Sequence, residues 1–139
     1  MAATGNTIIP EEFEDNILMS KALAHVATIG PHGEPQSTPI RFIWDGTDVL
    51  ISQTEGQQKL RNLRREPRVA LSMVDPENPG RNLEIRGRVD GEVPDPDRAF
   101  VRQLSRKYLG DESFGGVEGT HVIVRITPEH ATSFDASAG

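Results

Sequence analysis

Lys59, Arg61, Arg64, Arg65 and Arg68 crowd five of the chain's 15 basic residues into ten positions, although its formal net charge is −6. Such a run suits anion binding, and its surroundings suggest a particular anion. Val49, Leu50 and Ile51 are strand-prone, and Thr54 is placed to cap a helix. Gln57, three residues on, completes a capping-box pattern. Leu60 and Leu63 give that helix one apolar ridge, and Pro67 ends it. A helix start presents free N–H groups and a partial positive charge, both favourable to anions. A strand, a polar turn and a basic helix in succession therefore suggest a phosphate pocket. The competing explanation is a solvated basic helix face, and composition alone does not separate the two.

Other chemistries find little support. The chain has no cysteine, so disulfides, thiolate metal sites and cysteine catalysis are excluded. Its four histidines are scattered. His25 and His121 fall in strand patterns and read as packing residues, His32 lies in a turn and His130 in the tail. No pair has helical metal-ligand spacing, so no metal site is expected. No side-chain nucleophile or acid–base dyad stands out, and no catalytic side chain is expected. Tyr108 falls on an apolar helix face and reads as core. Trp44 reads as buried, with a place in the wall of a ring pocket as the alternative.

The elements that must position the basic run follow from periodicity. Pro10 to Lys21 reads as a helix, with Phe13 and Ile17 at i, i+4. Leu23 to Ile29 reads as a strand, and Gly30 to Pro35 is dense turn chemistry. Gln36 to Trp44 reads as a second strand, with Thr38, Ile40, Phe42 and Trp44 on one face. Pro39 cannot donate a ladder hydrogen bond, which places that strand at an edge or a bulge. Asp45-Gly46 marks a hairpin turn into Val49 to Ser52.

After the basic helix, Arg68 to Val74 alternates as a strand, and residues 75–80 read as a loop. Asn82 to Val93 is a long strand. Leu83, Ile85, Gly87 and Val89 share its apolar face, and Glu84, Arg86, Arg88 and Asp90 its polar one. Gly87 there suggests a bulge or the close approach of another group. Asp95 and Pro96 open a helix reaching Leu109, striped by Phe100, Leu104 and Tyr108. A Gly-rich loop spans Gly110 to Gly119, His121 to Thr127 is a last strand, and the tail from Pro128 has room for a short further piece.

At 139 residues the chain is expected to be a single domain over 1–139, with flexible ends at about 1–7 and 135–139. A pI near 5.2 disfavours general nucleic-acid and anionic-membrane roles, which rest on broad positive potential. No signal-peptide pattern or apolar run long enough for a membrane span is present, so a soluble, cytoplasmic protein is expected. The fold class is α+β, mainly β. Hairpin-linked strands with short helices at the rim point to an antiparallel barrel rather than a doubly wound parallel sheet.

These residues resemble a known family. Ala24-His-Val-Ala-Thr-Ile-Gly-Pro-His-Gly-Glu-Pro-Gln is similar to the first hairpin of the pyridoxamine 5′-phosphate oxidase-like split β-barrels, the FMN-binding split barrels. Lys59-Leu-Arg-Asn-Leu-Arg-Arg-Glu-Pro-Arg-Val resembles their most specific signature, and Leu83-Glu-Ile-Arg-Gly-Arg-Val one of their strands. The likeness covers residues 20–127. It is greatest to the actinobacterial flavin/deazaflavin oxidoreductase B group, which uses the deazaflavin coenzyme F420.

The resemblance implies a homodimer with the cofactor at the subunit interface. Ser52, Gln53, Thr54, Gln57, Lys59 and Asn62 lie where the family holds the phosphoryl and ribityl part. Gln36, Thr38, Pro39 and Ile40 lie on the strand that backs the ring. Residues near Gly80 to Asn82 would reach the cofactor from the other subunit. Relatives often carry Arg two residues before the Lys; here that position is Gln57, and a bidentate phosphate donor is lost. The neighbouring arginines are available to the polyglutamate tail of F420. Three functions follow as expectations. The first is an F420-dependent reductase of a small conjugated molecule. The second is an FMN-dependent oxidase or reductase, and the third a flavin- or deazaflavin-binding protein without turnover.

Overall fold

The alternating apolar positions of the central strands require a sheet with one covered face, and seven strands supply it. The structure, a computed structural model, describes residues 8–136. The strands are β1 (Ala24–Ile29), β2 (Pro35–Ile40), β3 (Ile43–Trp44), β4 (Val49–Thr54), β5 (Arg68–Asp75), β6 (Asn78–Pro94) and β7 (His121–Asp135). They lie in the order β2-β1-β5-β6-β7-β4-β3, and all pairings are antiparallel. The curled sheet does not close, so the architecture is a split barrel. Three helical segments sit at its rim: α1 (Glu11–Phe13), continuing as a π-helical stretch over Glu14–Leu18, α2 (Gln58–Arg65) and α3 (Ala99–Leu109).

Register stacks the apolar faces into one core. Val26 lies opposite Leu71, and Leu71 opposite Ile85. Farther along, Ile51 faces Val124 and Val49 faces Ile126. All of these side chains are fully buried, as are Leu60 and Leu63 of α2 to within 1%. Burying each such aliphatic side chain stabilises the fold by about 1.5–3 kcal/mol.

Two backbone features shape the barrel as their residue types require. Pro39 lies in β2, which pairs only with β1 and is an edge strand. At Gly87 the β6–β7 register shifts, and a Cβ there would run into the backbone oxygen of Thr127. Only glycine allows this close approach.

Several boundaries differ from those the sequence suggests. The first helix stops at Leu18, not Lys21. Ser20 Oγ donates to the Ile17 carbonyl and accepts from Ala22 N–H, which draws the chain into a turn. The second strand breaks at Arg41–Phe42, where the Phe42 carbonyl accepts from Lys107 and Phe42 N–H donates to the Tyr108 hydroxyl. The segment 75–80 is not a six-residue loop, because β5 includes Asp75 and β6 begins at Asn78.

The basic helix begins at Gln58 rather than just after Thr54. Gly56, at φ +92°, lets residues 54–57 complete a tight turn first. Half of the expected capping box survives, since Thr54 N–H donates to Gln57 Oε1. Likewise α3 starts at Ala99, although Asp95 still accepts from Phe100 N–H. The tail adds a full continuation of β7 rather than a short piece. Asp135, where the chain was expected to loosen, pairs with Arg81. The remainder of the expected flexible ends, 1–7 and 137–139, lies outside the described residues.

Candidate functional site

The turn from β4 into α2 opens onto a cavity of about 480 Å³. Ser52, Gln53 and Thr54 enter it from β4, Gln57 and Lys59 from the turn and the first turn of α2, and Pro39, Ile40 and Arg41 from the end of β2. Val101 and Leu104 of α3, then Phe114, Gly116 and Val117 of the following loop, form a more apolar wall. His121 closes it from β7. The polar part of the lining is thus built largely from neighbours in sequence, and the apolar part is assembled from distant segments.

Lys59 is half-buried and, among the described residues, has neither a hydrogen-bond partner nor a carboxylate. Burial pushes its ammonium pKa below the ordinary lysine value. An unpaired, partly desolvated cation is costly to maintain and is relieved by a bound anion. Gln53 is 3% exposed, and its Nε2 donates to the Ser52 carbonyl. Its Oε1 is buried and, among the described residues, accepts no hydrogen bond.

The rest of the basic run divides. Arg64 binds Glu55 and Glu92, two hydrogen bonds to each, at 2.7–2.9 Å. Arg68 pairs with Glu66, whose carboxyl is held down at about 2 by that guanidinium. Arg61 and Arg65 are exposed and bind backbone carbonyls and side-chain amides, with no carboxylate partner among the described residues. Much of the run's charge is therefore already balanced, and the charge available to a ligand is concentrated at Lys59, Arg61 and Arg65.

Of the residues that the family resemblance assigns to the cofactor, Pro39, Ile40, Ser52, Gln53, Thr54, Gln57 and Lys59 line this cavity together. Four do not line it. Asn62 is fully buried on α2, and its amide donates to Thr28 Oγ1 at 3.0 Å and Gln36 Oε1 at 2.8 Å while accepting from Gln58. Gln36 is thus a partner of Asn62, and Thr38 is exposed on β2. Asn82 lies on β6 opposite Val74 and Phe134.

Sequence reasoning missed Arg41, Val101, Leu104, Phe114, Val117 and His121. Arg41 falls inside the expected second strand with no role of its own, and His121 reads from sequence only as a packing residue. His121 is indeed buried, but its Nε2 also hydrogen-bonds the Val117 carbonyl at 2.7 Å, tying the Gly-rich loop to the cavity. Trp44 lies elsewhere, its indole N–H donating to Glu14 at 2.7 Å. Tyr108 is a strut that donates to the Ala22 carbonyl.

The family profile described as pyridoxamine 5′-phosphate oxidase matches residues 9–135. The chain belongs to the pyridoxamine 5′-phosphate oxidase family. No curated protein matches it significantly, but solved structures do. A protein described as an F420 reductase is 37% identical, with a TM-score of 0.83, over 89% of this chain and 98% of its own. A conserved hypothetical protein of Mycobacterium tuberculosis is 24% identical, TM-score 0.73, over 96% and 90%. An FAD-binding protein of Mesorhizobium loti is 20% identical, TM-score 0.68, over 93% and 96%. The last two speak for the shared fold alone. Among the described residues no helix is long and apolar enough to cross a membrane.

Proposed function

We propose that the protein is an oxidoreductase that binds coenzyme F420 and reduces a small conjugated organic molecule, working as a cytoplasmic homodimer. The observation that carries the reading is the unpaired, half-buried Lys59 in one cavity with the orphaned Gln53 Oε1. The likeness to an F420 reductase at 37% identity supports it.

The donor set fits a phosphorylated polyol joined to a flat ring. Lys59 supplies charge and three donors for a phosphate, with Gln57 beside it. Ser52 and Thr54 hydroxyls and the Gln53 acceptor suit the hydroxyls of a ribityl chain. Pro39, Ile40, Val101, Leu104 and Phe114 offer apolar surface that excludes water from a ring. Arg61 and Arg65 are the exposed cations left for an acidic tail. When bound, the reduced deazaflavin supplies a hydride. The chain's own part is to bind, to orient and to keep the reacting faces dry. Exposed apolar side chains on the outer surface, among them Ile29, Val74 and Phe134, suit burial against a second copy, which would bring Asn82 of the partner subunit toward the cofactor.

Side-by-side titration with F420 and FMN tests the reading. F420 is expected to bind more tightly, with a gap that narrows as salt screens the tail contacts. FMN binding as tightly as F420 at low salt would favour an FMN enzyme. Tight F420 binding with no oxidation of its reduced form by any conjugated acceptor would leave a carrier. Sedimentation of only a 15.3 kDa species at micromolar concentration would remove the dimer.

A further inference from the structure

Arg41 lines the cavity and, among the described residues, its charge meets no carboxylate and is not assigned to the proposed cofactor. It stands at the break between β2 and β3, on a different element from Lys59, and lines the same cavity. Its guanidinium lies over the rings of Tyr108 and Phe114, with Cζ 5.6 and 5.4 Å from their centroids. Among the described residues it has no hydrogen bond and no ion pair. Arg64, Arg68, Arg81, Arg86, Arg88, Arg102, Arg106 and Arg125 each have a carboxylate within 4 Å, in a chain with 21 acidic residues. An arginine held by aromatic rings loses little further freedom on binding, and its planar fork matches a carboxylate bidentately. Phe114 beside it and Val101, Leu104 and Val117 elsewhere in the lining are apolar.

We infer that Arg41 anchors a carboxylate of the second ligand in this cavity, so that the molecule reduced is a small conjugated acid. The inference rests on the proposed function in naming Lys59 as the cofactor's anchor and in taking the second ligand to be the molecule reduced. A cavity lined by cations from two separate segments, Arg41 and Lys59, together with apolar side chains suits a phosphate-bearing cofactor next to an acidic acceptor. A neutral acceptor would leave the Arg41 charge partly desolvated and unmatched.

The test is equilibrium binding of trans-cinnamate and its neutral counterpart trans-cinnamamide, with and without saturating F420. The proteins are wild type, Arg41→Gln, Arg41→Lys and Lys59→Ala. Wild type is expected to prefer the acid by about ten- to a hundredfold, the worth of one charge-assisted pair. Arg41→Gln should remove that preference by weakening the acid alone, Arg41→Lys should restore part of it, and Lys59→Ala should leave it in place. Affinity for F420 should change by less than about twofold in Arg41→Gln, as for independent sites. Equal binding of acid and amide to wild type, or no binding of either at millimolar concentration, overturns the inference. So does a preference that survives Arg41→Gln, whether that variant lowers thermal stability or loosens F420, and so does a preference lost in Lys59→Ala instead. If wild type fails to bind F420, the cofactor reading falls, and the cofactor-free comparison still decides Arg41.

Discussion

Replacing Lys59 with alanine separates a ligand-binding role from a structural one. Lys59 is half-buried, is without a partner among the described residues, and has an ammonium pKa lowered by burial. In the unliganded protein it therefore contributes a cost rather than a bond, so Lys59→Ala should leave stability at pH 7 unchanged or slightly raised. The sign of the linkage agrees. Between the lowered folded value and the ordinary 10.5, the folded state binds fewer protons than the unfolded one. Wild-type stability contributed by this group consequently rises with pH across that window, and the rise should be missing in the variant.

Binding should change in the opposite direction. A phosphate supplies the missing counter-charge, and losing that charge-assisted contact costs about 1.5–3 kcal/mol. That corresponds to about a ten- to hundredfold rise in Kd. Fluorescence titration with F420 and FMN, alongside urea unfolding between pH 7 and 11, measures both quantities. Wild-type affinity should decline as pH climbs through the lowered lysine pKa, and the variant should lack that decline. Unchanged Kd for both cofactors together with a clearly lower unfolding midpoint would refute the reasoning and make α2 a purely structural helix.

Gln57→Arg should tighten binding of either phosphate-bearing cofactor by adding a donor beside Lys59. It should also lower stability by about 0.5–1.5 kcal/mol, because Thr54 N–H loses its acceptor, which paired titration and urea unfolding can check. Asn62→Ala should destabilise the fold by about 1–3 kcal/mol, because Thr28, Gln36 and Gln58 all lose a partner. Its effect on F420 affinity should be the smaller one; a large rise in Kd at unchanged stability would make Asn62 a direct ligand. Asp48 is buried, and burial raises its carboxyl pKa above the ordinary 3.8 despite Arg125 at 3.7 Å. The folded state holds its proton more firmly, so this group's contribution falls as pH rises through that window. Asp48→Asn should therefore be more stable than wild type at pH 7, with the gain gone below pH 3.8 in urea midpoints followed against pH.

The sequence by itself determined the features that depend on near neighbours. Period-two alternation located the strands, Leu60 and Leu63 gave α2 its buried ridge, Pro39 forecast an edge strand and Gly87 a close approach. The specific run from Lys59 to Val69 pointed to the family, and the polar part of the cavity was legible because Ser52 to Lys59 are contiguous. Only the tertiary structure decided the remainder, because those contacts join residues far apart in the chain. Glu92 meets Arg64 across 28 positions and neutralises a charge that looked free. Thr28 and Gln36 meet Asn62 across 34 and 26 positions and turn an apparent ligand into a core hydrogen-bond hub. Even the local capping pattern was settled by one backbone angle at Gly56, which closes a turn before α2 begins. Arg41 shows the same division: its type was visible from the start, but its lack of a carboxylate depends on how every acidic residue in the fold is placed.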